Sequence, residues 1–233
     1  MIAAAGPSAY WYLTRSTGAM ALVLLTATVV LGVVDVRRLG SAAWPRFLFD
    51  ALHRNLSLLT LVFLVLHIIT SVLDSFAPIS LTAAFVPFIS SYRPFWLGLG
   101  AVAFDLLLAV TITSLLRRRI GVDTWRRVHW LAYACWPVAL LHGFGTGSDV
   151  KSGWLQLLSA ACVVAVVLAV VYRAASGWPS RLGVRSAALA VTGAFSLFLL
   201  LWLPSGPLGS EWARRSGTPS SLLQASHRSP HKR

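Results

Sequence analysis

Ala51-Leu52-His53-Arg54-Asn55 opens an unbroken apolar run that closes on His67, and it is answered downstream by Val128-His129-Trp130 and Leu141-His142-Gly143. These four histidines lie in apolar stretches long enough to cross a bilayer, whereas His227 and His231 fall in a polar tail. Ionisable side chains within a membrane are costly and mark functional positions. The first pair is 14 residues apart and the second 13. Along an ideal helix those spacings separate the members by about 21 Å and about 19 to 20 Å. Each helix therefore offers one imidazole near either membrane face, which gives two stacked two-histidine sites instead of one four-histidine cluster.

The rest of the composition agrees with a membrane setting. Of 233 residues, 57% are hydrophobic and 12% charged, with a mean hydropathy of +0.72. Such a chain has too little polar surface for a soluble globule. The net charge of +13 comes from arginines in short loops between apolar runs, where they set topology. No basic stripe with interleaved aromatics lies outside those runs, which argues against nucleic acid as a partner. Cys135 and Cys162 stand apart within apolar segments and read as small core residues. The uncharged start, Met1 to Ser8, and the length of the first apolar run predict no cleavable signal.

The pattern predicts an all-α, six-span transmembrane bundle over residues 1–204, with a disordered, polar, basic tail over 205–233. The spans are expected at about Tyr12–Val34, Phe47–Leu73, Phe95–Leu116, Trp125–Gly143, Trp154–Tyr172 and Ser186–Leu203; about 20 residues suffice for a bilayer core. Trp11, Trp44, Trp96, Trp125, Trp154 and Trp202 fall near span ends, as in an interfacial aromatic belt. Three alternate loops hold Arg37, Arg38 and Arg46, then Arg117, Arg118, Arg119, Arg126 and Arg127, then Arg173, Arg181 and Arg185. The two opposite loops hold only Arg93 and Lys151. Positive residues stay inside, so the expectation is a multi-pass protein of the cell membrane with both termini outside. The basic tail, with Arg214, Arg215, Arg228, Lys232 and Arg233, runs against that orientation, but three concordant loops outweigh it. The long link from Ser75 to Pro94 has an apolar middle and reads either as a cover for an outer site or as a plain connector.

The second and fourth spans run in the same direction, so His53 is level with His129 near the inner face and His67 with His142 near the outer face. A zinc site needs three or four ligands in one place. Two opposed imidazoles suit the axial positions of a haem iron, which the porphyrin already holds in its plane. Fourteen residues end about 40° short of four turns, but thirteen end about 140° short, so His129 and His142 do not share a face on a straight helix. Pro137 between them either kinks and rewinds the helix or is an ordinary membrane-helix proline.

Around these ligands, Arg54, Arg126 and Arg127 are candidates for the carboxylates of an inner haem and Arg15 for those of an outer one. Each has the alternative role of snorkelling to lipid headgroups. Asp105, midway along the third span, must be paired or protonated if buried. Gly18, Gly32, Gly98, Gly100 and Gly143 permit close approach of a helix or a flat macrocycle.

Six spans with His-x13-His on one helix and His-x12-His two spans later resemble the ferric reductase-like transmembrane domain shared by ferric reductases, NADPH oxidases and the haem subunit of the periplasmic methionine sulfoxide reductase system. The likeness covers roughly residues 10 to 204, and Thr17-Gly18 and Leu52-His53-Arg54-Asn55 are similar to actinobacterial members. It implies two b-type haems, with His53 and His129 on the inner one and His67 and His142 on the outer one. It implies electron transfer from an inner donor to an outer acceptor of unknown identity, with no catalytic side chain on this chain. Ferric reductases and NADPH oxidases continue into a flavin and nicotinamide domain, yet no G-x-G-x-x-G after a strand follows here. The expected donor is therefore a separate flavoprotein reductase, free reduced flavin or a membrane quinol, and whether the chain counts as an enzyme stays open. The alternatives are a haem-binding sensor without net electron flow and a haem-free scaffold or transporter.

Overall fold

The structure, a computed structural model, describes residues 8–34, 46–176 and 179–228. Arg37, Arg38, Trp44 and the last residues of the tail, including His231, lie outside them. The described residues form helices and no strand: α1 (Ala9–Val33), α2 (Arg46–Leu73), α3 (Pro94–Leu115), α4 (Arg117–Ile120), α5 (Val122–His129), α6 (Ala132–Thr146), α7 (Gly153–Ala175), α8 (Leu182–Ser205), α9 (Trp212–Arg215) and α10 (Ser220–Arg228).

Helices are what a bilayer demands, because each closes its own backbone hydrogen bonds within one segment. Embedded hydroxyls obey the same rule. Thr26, Thr60 and Thr111 donate to the carbonyls of Leu22, Leu56 and Leu107 at 2.7 to 2.8 Å, so none of the three leaves a polar group unsatisfied. Five helices, α1, α2, α3, α7 and α8, are long and apolar enough to cross a membrane. Their exposed residues suit lipid, not water: on α8, Val191, Leu200 and Leu201 are each about 70% exposed.

The fourth expected span departs from the expectation of one continuous helix. It is divided into α5 and α6 at Trp130–Leu131. There the bonds tighten from i+4 to i+3, with Leu131 N–H donating to Val128, Tyr133 to Trp130 and Ala134 to Leu131 at 2.9 to 3.1 Å. Each tight step advances about 120° instead of about 100°, so three or four of them recover roughly 60 to 80° of the shortfall between His129 and His142. Pro137 sits inside α6, and a helix proline disturbs the turn before it. The break falls on that side.

The chain divides into two compact units, residues 1–20, 62–148 and 210–233 in one, and 21–61 and 149–209 in the other. In the first, α3 packs along α6, with Ala103, Phe104, Leu107, Cys135, Trp136 and Leu140 buried. The Cys135 Sγ–H donates to the Ala103 carbonyl at 3.3 Å, as a core thiol should. The link before α3 folds onto that helix: Phe85 meets Phe104 edge-on at 5.4 Å, and a Cβ on Gly98 would strike the Phe88 ring. In the second unit α7 lies against α8, and Arg185 donates to the Arg173 and Ala174 carbonyls at 3.2 and 2.7 Å, closing the orphan end of α7.

The tail is a second departure. Residues 210–228, part of the tail expected to be disordered, carry α9 and α10 and are tied down in the first unit. The Gly217 carbonyl accepts from the Arg93 N–H at 3.0 Å, and Arg93 Nε–H donates to Thr218 Oγ1 at 3.0 Å. A segment anchored by polar contacts and one tryptophan shows no apolar periodicity, so a periodicity-based reading overlooks it.

Candidate functional site

His67 on α2 and His142 on α6 come together within the first unit, ring centres 6.3 Å apart and planes at 84°. Both are held the same way. His67 Nδ1–H donates to the Thr14 carbonyl at 2.8 Å, and His142 Nδ1–H to the Trp96 carbonyl at 2.9 Å. A carbonyl can only accept, so the proton must sit on Nδ1 and Nε2 keeps its lone pair. This is how a ligating imidazole is usually oriented.

Those two carbonyls are reachable for a common reason. In a helix the Cβ of residue i+4 leans back over the turn that ends at the carbonyl of residue i. Four residues after Thr14 stands Gly18, and four after Trp96 stands Gly100. A Cβ on Gly18 would lie 2.9 Å from His67 Nδ1 and Cε1; one on Gly100 would lie 2.5 Å from the same atoms of His142. Both are closer than a real Cβ contact allows, so only glycine lets each ring lie over the helix and reach its acceptor.

In the second unit Gly32 faces His53, but a Cβ there would stop 3.5 Å from Cε1, an ordinary contact, so the ring does not demand a glycine at that place. His129 is placed differently, at the end of α5, with its ring 5.0 Å from that of Trp125 and tilted 34°. His53 and His129 belong to different units. Among the described residues no group of three or more His, Cys, Asp or Glu side chains could hold a metal ion.

The arginines divide. Arg15 lies 3.2 Å above the Trp11 ring and hydrogen-bonds Ser148, one residue from the carbonyl that holds His67. Thr14 Oγ1 is buried there without a hydrogen-bond partner, an atom that an additional polar group would satisfy. Arg54, Arg126 and Arg127 are exposed, and Arg126 pairs with Asp123 at 3.3 Å at the surface. Asp105 is part-exposed and makes no ion pair or hydrogen bond among the described residues.

Arg93 was expected only to count toward topology. It is 5% exposed and takes a left-handed backbone, φ 42°, just before Pro94. Its Nη1–H donates to the Gly145 carbonyl at 2.9 Å, and Trp212 Nε1–H donates to the same oxygen at 3.2 Å. Gly145 lies in the last turn of α6, where carbonyls lack helical partners. Trp212 also meets the Trp96 ring at 5.3 Å, so the tail touches the residue whose carbonyl fixes His142. Burial pushes the Tyr92 phenol up, opposed by the neighbouring Arg93 and Arg15, and pushes the Arg93 guanidinium down, opposed by Tyr92. A lone arginine before proline in a charge-poor loop was the available signal for this anchor.

The family model for the ferric reductase like transmembrane component matches residues 17–140. The chain belongs to that family. The match takes in His53, His67 and His129 and ends two residues before His142. The chain is also 32% identical over 161 residues to the protein-methionine-sulfoxide reductase heme-binding subunit MsrQ of Ralstonia nicotianae, covering 67% of this chain and 68% of that protein. No solved structure matches the chain.

Proposed function

We propose that this chain is a diheme b-type electron-transfer protein of the cell membrane, crossing it six times with both termini outside, and that it moves electrons from an inner donor to an outer acceptor. The observation that carries the reading is the His67–His142 pair. A metal–imidazole nitrogen bond is about 2 Å long, so two axial rings on one metal have centres roughly 6 Å apart; the observed 6.3 Å fits, and both Nε2 atoms keep their lone pairs. Haem iron, when bound, supplies one-electron chemistry. The chain's part is to hold and orient. Thr14 and Trp96 fix the tautomers, Gly18 and Gly100 leave room for the rings, and Arg15 offers a cation to outer carboxylates.

His53 and His129 are the inner ligands in this reading, supported by the 14- and 13-residue spacings of the sequence and by membership of the family. Arg54, Arg126 and Arg127 face inner carboxylates or lipid headgroups. The α5–α6 pair makes the fourth crossing, since together they span 25 residues including the break (122–146). Its relative, the heme-binding subunit of a protein-methionine-sulfoxide reductase, supports haem as the cofactor. A nicotinamide gives up two electrons as a hydride, whereas a b-type haem takes one at a time. The donor in this reading is a flavoprotein reductase, reduced flavin or a quinol, each able to pass on electrons singly.

The test is an anaerobic reduced-minus-oxidised spectrum with haem quantitation on the purified chain, each donor being added in turn. The expected result is a b-type spectrum at two haems per chain, reduced by flavin reductase with flavin or by quinol and not by NADPH alone. A preparation without a Soret band sinks the proposal; a haem-loaded protein that no donor reduces favours a sensor.

A further inference from the structure

We infer that a helix carbonyl with glycine four residues later is a repeated ligand-setting device in this chain, and that Gly18 and Gly100 are positioning residues that set the outer haem's redox potential. The inference rests on the haem reading above and goes beyond it, since it concerns which residues decide ligand strength. Two copies carry it: Thr14 with Gly18 at His67 and Trp96 with Gly100 at His142.

The glycine contacts are graded. The distance from a hypothetical Cβ to the ring rises from 2.5 Å at Gly100 to 2.9 Å at Gly18 and 3.5 Å at Gly32. A methyl group at Gly100 or Gly18 pushes the ring off its carbonyl, whereas at Gly32 it makes an ordinary contact. Nδ1–H donation to a carbonyl makes the imidazole a more basic ligand. Basic ligands favour the oxidised iron, so weakening that bond raises the reduction potential. Gly193 on α8 supplies the control, with nothing within 4 Å of its hypothetical Cβ.

The experiment compares Gly100→Ala, Gly18→Ala and Gly193→Ala in the full chain, by haem per protein and by redox titration of each haem. The outer haem is identified as the one that His142→Ala removes. Gly100→Ala is expected to lose the outer haem or shift its potential upward most, Gly18→Ala to do so less, and Gly193→Ala to match the unsubstituted chain, with the inner haem unmoved throughout. Equal behaviour of Gly100→Ala and Gly193→Ala overturns the inference, as does loss of both haems together in Gly100→Ala, which marks general misfolding. A haem-free unsubstituted protein instead overturns the proposed function, so the two failures are told apart.

Discussion

The ends of the histidine-bearing helices are built to different standards. At the end where the link before α3 and the tail gather, His67 and His142 each sit over a glycine and donate to a helix carbonyl. The site is reinforced from outside by Arg93 and Trp212, which share the Gly145 carbonyl. Elsewhere, His53 in the second unit has a looser glycine contact at 3.5 Å, and His129 in the first closes a helix of eight residues flanked by exposed arginines. The His67–His142 pair is preorganised by buried polar contacts, whereas His129 neighbours surface charge. Under the proposed direction of electron flow, the contrast suits an outer centre that keeps a fixed geometry and an inner one that receives a transient partner.

The strongest way to break the comparison is to remove a proposed ligand of the inner haem. His129→Ala and His53→Ala should each abolish the inner haem while sparing most of the outer one, as read by haem per chain. Equal loss of both haems in each variant would erase the distinction between the ends. Next in size is Arg93→Met, which removes charged hydrogen bonds worth about 1.5 to 3 kcal/mol each. It should release residues 210–228, so that limited proteolysis cuts the tail several-fold faster while the family core stays intact; a cleavage rate like that of the unsubstituted protein would show that the tail is held by something else. The smallest effect sharpens the donor end. Arg117, Arg118, Arg119, Arg126 and Arg127 are exposed and would attract an acidic flavoprotein, an attraction that salt screens over about 10 Å at 0.1 M. Raising salt from low to physiological strength should slow haem reduction by that donor several-fold, and a rate indifferent to salt would leave these arginines with topology as their only role.

Much of this was legible in the chain because its signals are periodic or rare. Apolar runs of bilayer length located α1, α2, α3, α7 and α8 within a few residues of where they lie, and four histidines in a sea of apolar residues named the candidate site. Thirteen-residue spacing exposed the need for a rewound helix, though not its place: the break lies at Trp130–Leu131, ahead of Pro137. Backbone atoms were beyond reach. The acceptors at Thr14 and Trp96 are carbonyls, which every residue has, and only their offset of four from Gly18 and Gly100 could have hinted at them. The tail was misread because its hold depends on Arg93 and Trp212, two residues far apart in sequence whose contacts leave no repeating pattern.

The central claim is that His67 and His142 together hold one haem, distinct from a second held elsewhere in the chain. Haem quantitation on the purified unsubstituted chain and on His142→Ala, normalised to protein, addresses it directly. The account predicts two haems in the first and one in the second, the survivor retaining the spectrum of the inner site. An unchanged count in His142→Ala, or complete loss of haem from it, would contradict the claim.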